Sequence, residues 1–341
     1  MSVRIINADV LDGLAQLEDE SVQCCVTSPP YFGLRCYGVE GQIGLEATPD
    51  AFVDRLVGVF RDVRRVLRKD GVLFLNLGDS YAGSWGAQSR GNETGEGKST
   101  LTGKSMLSAR QIGAHPQGKL TGSKTKTPGL KPKDLIGIPW MVAFALRADG
   151  WWLRQDIVWN KPNPMPESVG DRCTKSHEYI FLLSKSERYF YDADAIREGA
   201  TYSGPNSPAS QASPYGQGFT RRADKLRGLT PRHEGHINHT GLDDTPRGLS
   251  RNKRSVWTVA TVPFIDAHFA TFPEEIPEIC IKAGSRMGDT ILDPFGGAGT
   301  TGLVADKLGR NAVLIELNPE YAAMAEARIK GSCPMFAEVT P

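Results

Sequence analysis

Five consecutive residues, Thr27-Ser28-Pro29-Pro30-Tyr31, gather more chemical capability than any other short stretch of this chain. Adjacent prolines supply no backbone N–H, hold φ at about −65° and disfavour helix at the residue before each. The loop is therefore stiff, and its carbonyls face outward without neighbouring donors. Ser28 adds a small hydroxyl and Tyr31 a flat π-face. Acceptors beside a stacking surface suit a planar ring that carries an exocyclic amine. Without such a ligand, the same residues make a Pro-Pro turn closed by a packed tyrosine.

A second group lies far along the chain: Asp293-Pro294-Phe295-Gly296-Gly297-Ala298-Gly299-Thr300-Thr301-Gly302. It follows an apolar strand pattern over 290–292 and opens a helical pattern over 302–308; a further apolar strand over 311–315 ends on Glu316. Gly297, Gly299 and Gly302 match the G-x-G-x-x-G spacing, in which glycines permit a tight strand-to-helix turn and close backbone approach to a ligand. Glu316 stands where an acid would meet ribose hydroxyls. Taken alone, this group reads as a nicotinamide-cofactor site or as a glycine-rich loop with no ligand.

With both groups in view, and with Ile315-Glu316-Leu317-Asn318-Pro319 at the last strand end, the chain resembles amino-methylating DNA methyltransferases that use S-adenosyl-L-methionine. The motif order, S-P-P-Y first and cofactor loop last, resembles the permuted group called β. Asp156-Ile157-Val158-Trp159-Asn160-Lys161, His177-Glu178 and His268-Phe269-Ala270-Thr271-Phe272-Pro273 extend the similarity over most of the chain outside two internal segments. The resemblance implies a bacterial or phage modification enzyme acting in the cytoplasm on double-stranded DNA, with a cognate restriction endonuclease acting separately. It implies catalytic roles for Ser28, Pro29, Pro30 and Tyr31. It also implies cofactor contacts at Asp9, Phe272, Asp293, Phe295, Gly297, Gly299, Thr300, Glu316 and Asn318, with no metal. Serine at the head of S-P-P-Y resembles the cytosine-N4 branch, adenine N6 being the alternative. A protein-glutamine methyltransferase shares the Pro-Pro-Tyr chemistry, but there the cofactor motif comes first.

Mechanistically, the amine of cytosine is a poor nucleophile because its lone pair is delocalised into the ring. Acceptors at the Ser28 hydroxyl and the Pro29 carbonyl would bind both N–H groups and localise that pair. Tyr31 would stack on a base flipped from the duplex. Two other readings compete. A nicotinamide oxidoreductase accounts for residues 297–316 but leaves S-P-P-Y without a role, and a non-catalytic nucleic-acid binding module leaves the cofactor loop without one.

These loops need strands to hold them. Apolar runs over 3–6, 22–26, 72–77, 151–159, 179–183, 189–191, 290–292 and 311–315 read as strands, with 179–183 and 189–191 paired, and 256–259 restarts regular structure. Helical spacing marks 10–17, 138–148 and 319–330, and Phe52, Val53, Leu56, Phe60, Val63 and Leu67 mark a longer helix that Lys69-Asp70-Gly71 ends. Asp9 serves either as the first helix's N-cap or as an adenine contact, and Asn318 as a cap of the last. Alternating strands and helices predict one doubly wound, mainly parallel α/β sheet, of the Rossmann-like methyltransferase type by the resemblance, with ligands at the strands' carboxyl edge. The resemblance further implies seven strands, one antiparallel.

The chain of 341 residues reads as a single permuted domain, with residues 256–330 as its cofactor-binding part. Its formal net charge of +1 makes any nucleic-acid footprint local. Residues 82–133 carry nine Lys or Arg against two Glu among Gly, Ser and Thr, and are expected to be a flexible basic insertion that clamps phosphate. Residues 198–254, rich in arginine, are expected to be the target-recognition insertion. His233, His236 and His239 do not form an H-x-x-x-H zinc pattern with a glutamate in place. Cysteines 24, 25, 36, 173, 280 and 333 form no C-x-x-C pair and are expected to be reduced; none follows a proline, so the Pro-Cys nucleophile of cytosine-C5 methylation is absent. No run is long and apolar enough to span a membrane, and no signal pattern opens the chain.

Overall fold

In the computed structural model the described residues are 2–34, 39–82, 129–167, 169–199, 250–261, 272–332 and 338–340. Most of the two expected insertions, Cys36, Tyr37, Cys333, the three-histidine string and the stretch His268 to Thr271 lie outside them. The chain divides into two compact units, Met1–Tyr191 with Ser255–Pro341, and Asp192–Arg254.

The first unit opens with β1 (Ser2–Asn7), α1 (Val10–Ala15), β2 (Val22–Thr27), α2 (Pro49–Val66), β3 (Leu67–Leu77), α3 (Ile138–Ala148), β4 (Trp152–Asn160) and β5 (His177–Ser184). In the second unit β6 (Glu198–Gly199) pairs antiparallel with β7 (Ser250–Arg251), and Arg251 and Arg254 both donate to Glu198 Oε1 at 2.8 and 2.7 Å. The first unit resumes with β8 (Val256–Thr258), α4 (Glu275–Gly284), β9 (Thr290–Asp293), α5 (Thr300–Lys307), β10 (Asn311–Glu316), α6 (Pro319–Ser332) and β11 (Glu338–Thr340).

Nine strands form one sheet in the order β11-β1-β10-β9-β2-β3-β5-β4-β8. Only β5 runs against its neighbours, so the sheet is mainly parallel. The short strands β11 and β8 extend the expected seven at either edge. Every residue of β2 is buried, as a parallel strand covered by helices on both faces must be. Helix α2 supplies one such cover. Thr48 caps it by accepting from Ala51 N at 3.1 Å, Pro49 fits its first turn, and Phe52, Leu56, Phe60 and Val63 are fully buried along one face. Burying each of those side chains contributes roughly 1.5–3 kcal/mol.

Two local expectations are corrected. Helix α2 stops at Val66 and the strand begins at Leu67, because residues 68–71 bulge out opposite the single residue Gln23. A Cβ on Gly71 would stand 2.9 Å from the Arg68 carbonyl oxygen, so only glycine closes that bulge. Residues 189–191 are not a strand: Phe190 N donates to Asp70 O in the bulge at 2.9 Å, and β4, not this segment, is the hairpin partner of β5. Arg55, Arg61, Arg65 and Arg68, interleaved on the other faces, each pair with a carboxylate. Among the described residues no helix is long and apolar enough to cross a membrane, and Cys24, Cys25, Cys173 and Cys280 are free thiols.

Candidate active site

From the neighbouring pair β2 and β9 the chain winds outward in both directions, so their carboxyl ends flank the crevice where an open α/β sheet binds ligands. Thr27 ends β2 and Asp293 ends β9. The Thr27 hydroxyl donates to Asp293 Oδ1 at 2.7 Å, a buried bond that joins the two loops across 266 residues of sequence. Above it opens a cleft of about 790 Å³. Ser28, Pro29, Pro30 and Tyr31 line it, as do Asp9, Phe272, Asp293, Phe295, Gly297, Thr300, Glu316 and Asn318. Gly299 does not. It caps α5 with φ of 77°, and a Cβ there would stand 2.8 Å from Ala325 Cβ, so helix packing accounts for this glycine.

At the S-P-P-Y end, a hydrogen-bonded chain fixes every polar group. The Tyr31 hydroxyl donates to Glu178 Oε2 at 2.6 Å. Asn76 Nδ2 donates to Glu178 Oε2 at 3.2 Å and to the Tyr179 carbonyl at 3.1 Å, two partners that can only accept. The amide is thereby oriented, and its Oδ1 faces Ser28, whose hydroxyl donates to it at 3.2 Å. Its other acceptor within reach, the Tyr31 hydroxyl at 3.4 Å, also lies inside this network, so the proton stays within it and the lone pairs of Ser28 Oγ remain to accept from a ligand. Lys161 pairs with Glu178 Oε1 and lies 4.3 Å from the centre of the Trp159 ring, holding the carboxylate from behind. The Tyr31 ring packs on Gly78, where a Cβ would stand 2.4 Å from Cε2. Phe32 is buried against Phe52 rather than in the cleft.

Strand direction explains how Glu178 arrives there. The antiparallel β5 presents its first residues at the edge where β3 and β4 present their last, placing Glu178 beside Trp159 and near Asn76. From sequence, Glu178 and Lys161 belong to stretches that extend the family resemblance without an assigned role, Glu178 reading as a strand-start hydrogen-bonding residue in preference to an acid or base, and Asn76 carries no role at all. The one signal that could have found them is that reversed strand. Burial lowers the pKa of Lys175, whose neighbours in space include Asp79, Glu178 and Glu167, and of His177.

At the glycine-loop end, Glu316 Oε2 accepts from Gly297 N and Oε1 from Asn318 N, each at 2.8 Å. Gly297 takes a φ of 50° to aim its N–H there. Each oxygen keeps a lone pair, and burial raises the pKa of this cleft-lining carboxyl. Asp293 is more fully engaged: Oδ1 accepts from Thr27 and from Phe295 N at 3.1 Å, and Oδ2 from the Thr301 hydroxyl at 2.6 Å. Asp9 caps α1 by accepting from Leu11 N at 2.9 Å and also lines the cleft, so the two readings of that residue are compatible. Asn318 caps α6 through Glu320 N at 2.9 Å.

The model of the N6/N4 methyltransferase family, described as DNA methylase, matches residues 22–327. The chain belongs to this DNA methylase family. The Type II methyltransferase M.Cfr9I of Citrobacter freundii is 43% identical over 96% of this chain and 87% of its own length. Among solved structures, the cytosine-N4-specific PvuII DNA methyltransferase shares the fold with a TM-score of 0.58 at 18% identity, covering 96% of this chain and 86% of its own. A Thermus thermophilus protein described as a DNA modification methylase, complexed with S-adenosyl-L-methionine, matches with a TM-score of 0.55 at 22% identity, covering 99% and 100%. The present methylase is an S-adenosyl-L-methionine-dependent DNA methyltransferase. Its cleft fits that cofactor: Glu316 is a half-buried carboxylate with spare acceptor capacity, as vicinal hydroxyls require, and Gly297 presents bare backbone to the cleft beside it. A nicotinamide oxidoreductase and a non-catalytic binding module are thereby set aside.

Proposed function

We propose that this methylase modifies the exocyclic N4 of a cytosine flipped out of duplex DNA, and that the residues described above divide the work. The observation that carries the reading is the polarity of Ser28: Asn76 takes its proton at 3.2 Å, so Oγ meets the cleft as an acceptor. An acceptor there, with the Pro29 carbonyl as its partner, suits the exocyclic amine of cytosine or adenine and disfavours a carbonyl; serine at the head of S-P-P-Y points to cytosine. The two acceptors bind the amine's N–H groups and orient its lone pair. Ser28 is too weak a base to remove a proton first, so the amine keeps both until transfer is under way. Bound S-adenosyl-L-methionine supplies the electrophilic methyl group. Glu316 would hold the ribose hydroxyls, and Asp293, through the one lone pair left on Oδ2, the amino end. Asp9, Phe272, Phe295, Thr300 and Asn318 would line the rest of that site. The Tyr31 ring, seated on Gly78 and tethered to Glu178, would be the platform for the base. Positioning supplies most of the acceleration, and no covalent enzyme intermediate is needed.

The reading extends to regions outside the described residues. The basic stretch within 82–133 grips phosphate, and the arginine-rich stretch within 198–254 reads the target sequence. Likeness to the Type II methyltransferase M.Cfr9I supports extending the reading to a separate restriction endonuclease for the same sequence and to a cytoplasmic setting shared with the DNA. A Ser28→Ala variant tests the core of the proposal. It should bind S-adenosyl-L-methionine like the wild type by calorimetry, while transfer of tritiated methyl groups to duplex DNA falls by about a hundredfold, the scale of losing one aligned polar group. Transfer within twofold of wild type would remove Ser28 from the reaction.

A further inference from the structure

Extruding a base leaves a gap in the duplex, and the described part of the cleft holds one residue suited to fill it. Met165 is 85% exposed, and it is the only exposed large hydrophobic residue among the described ones that also lines the cleft. An apolar side chain held in water at a site mouth has no packing role in the fold. Its loop is nonetheless built to hold it still. Pro162, Pro164 and Pro166 alternate with Asn163 and Met165, so φ is fixed at every second residue, and Met165, preceding a proline, is biased to extended backbone. Asn163 is clamped to Thr261 by two hydrogen bonds, Nδ2 donating to the Thr261 carbonyl and Thr261 N donating to Oδ1, both at 2.9 Å. Past the loop, Lys161 N donates to the Ser176 carbonyl at 2.7 Å and closes its base. A stiff backbone thus carries a long, adaptable, apolar tip beside the rim where a flipped nucleotide must enter.

We propose that Met165 is an intercalating wedge: on binding, its side chain enters the base stack next to the target and occupies the gap left by the extruded base. The inference rests on the base-flipping reading above and deepens it. Apolar side chains, methionine among them, serve this purpose in proteins that kink or unstack DNA, where unstacking is the cost the wedge offsets.

The test uses the full-length protein, tritiated S-adenosyl-L-methionine and two duplex oligonucleotides cut around one base that the wild type is found to methylate. In the second duplex the nucleotide opposite that base is replaced by an abasic residue, so the target is already unpaired. Met165→Ala should lower kcat/KM on the paired duplex by about tenfold or more, and on the abasic duplex by less than about threefold, because an unpaired base is extruded at little cost. Met165→Leu, which keeps an apolar tip, should restore most of the loss. Cofactor affinity should not change in either variant. Equal losses on both duplexes, or no loss on the paired one, would overturn the wedge while leaving the proposed function standing. A wild-type protein that methylates no DNA would refute the proposed function, and the wedge with it.

Discussion

The bond between Thr27 and Asp293 is where the two motif loops become one site, and Thr27→Val removes it with little change of shape. Thr27 and Asp293 are 1% and 2% exposed, so water cannot replace the lost hydroxyl. A hydrogen bond to a charged acceptor contributes about 1.5–3 kcal/mol, which sets the expected loss at about 2 kcal/mol near neutral pH. In a chain of this size that corresponds to a melting point lower by about 3 °C. The pH dependence is the sharper check. Burial raises the pKa of Asp293, and the hydrogen bonds from Thr301, Thr27 and Phe295 N pull it back. A raised folded pKa means that the folded chain holds the proton more tightly than the unfolded one. That contribution is fully present below the unfolded pKa and is lost as pH rises through the folded pKa. Deleting the Thr27 bond raises the folded pKa further, so the deficit of the variant should be small in acid and grow towards neutrality. Urea unfolding of wild type and variant at about pH 3.5, below the unfolded pKa of an aspartate, and at about pH 7.5 reads this directly as a change in midpoint at constant slope. A variant as stable as the wild type, or one with the same deficit at both pH values, would refute the claim that Thr27 supports an ionised Asp293.

Three further outcomes follow from the geometry. Glu316→Ala should cost about 1–3 kcal/mol of S-adenosyl-L-methionine affinity by calorimetry, since cofactor hydroxyls and two backbone N–H groups lose their acceptor; Glu316→Gln should also flatten the decline in stability of the free protein as pH rises through the raised folded pKa of that carboxyl. Gly78→Ala would drive a Cβ into the Tyr31 ring, whose hydroxyl is tied to Glu178, and should lower kcat by about tenfold with cofactor affinity intact; an unchanged kcat would show that the ring's seat does not matter. Residues 83–128 leave and return at a clasp, Ala82 N to Asp134 O and Lys133 N to Ala82 O, both 2.8 Å, so a short glycine-serine link can replace them; the salt dependence of DNA binding should then flatten by roughly 0.9 for each phosphate no longer neutralised, whereas an identical slope would deny the segment any grip on DNA.

The loops that carry the chemistry were legible because their signals are local. Two prolines after an apolar run, or three glycines between a strand and a helix, restrict the backbone wherever they fall, and strands β2, β9 and β10 end where those residues begin. Helix α3 is found with its expected bounds for the same reason, Pro139 marking its first turn. The supports of Ser28 were not legible. Asn76 is 48 residues away and Glu178 is 147 from Tyr31, and what joins them is the reversal of β5, a property of strand pairing rather than of composition. Tyr189, Phe190 and Tyr191 show the converse failure. Their β-prone types predict a strand, yet the bulge at Asp70 takes the Phe190 amide and Arg286 lies 3.9 Å from the centre of its ring, so tertiary contacts decide the backbone.

The most direct test of the account is the identity of the modified base. Unmodified duplex DNA, incubated with this protein and S-adenosyl-L-methionine, would be digested to nucleosides and analysed by mass spectrometry. Ser28 as an acceptor predicts methylation of an exocyclic amine, and serine at the head of S-P-P-Y predicts that the product is N4-methylcytosine. N6-methyladenine alone would contradict the base assignment and keep the amine chemistry; 5-methylcytosine would contradict the mechanism itself, because no cysteine in this chain follows a proline to attack the ring.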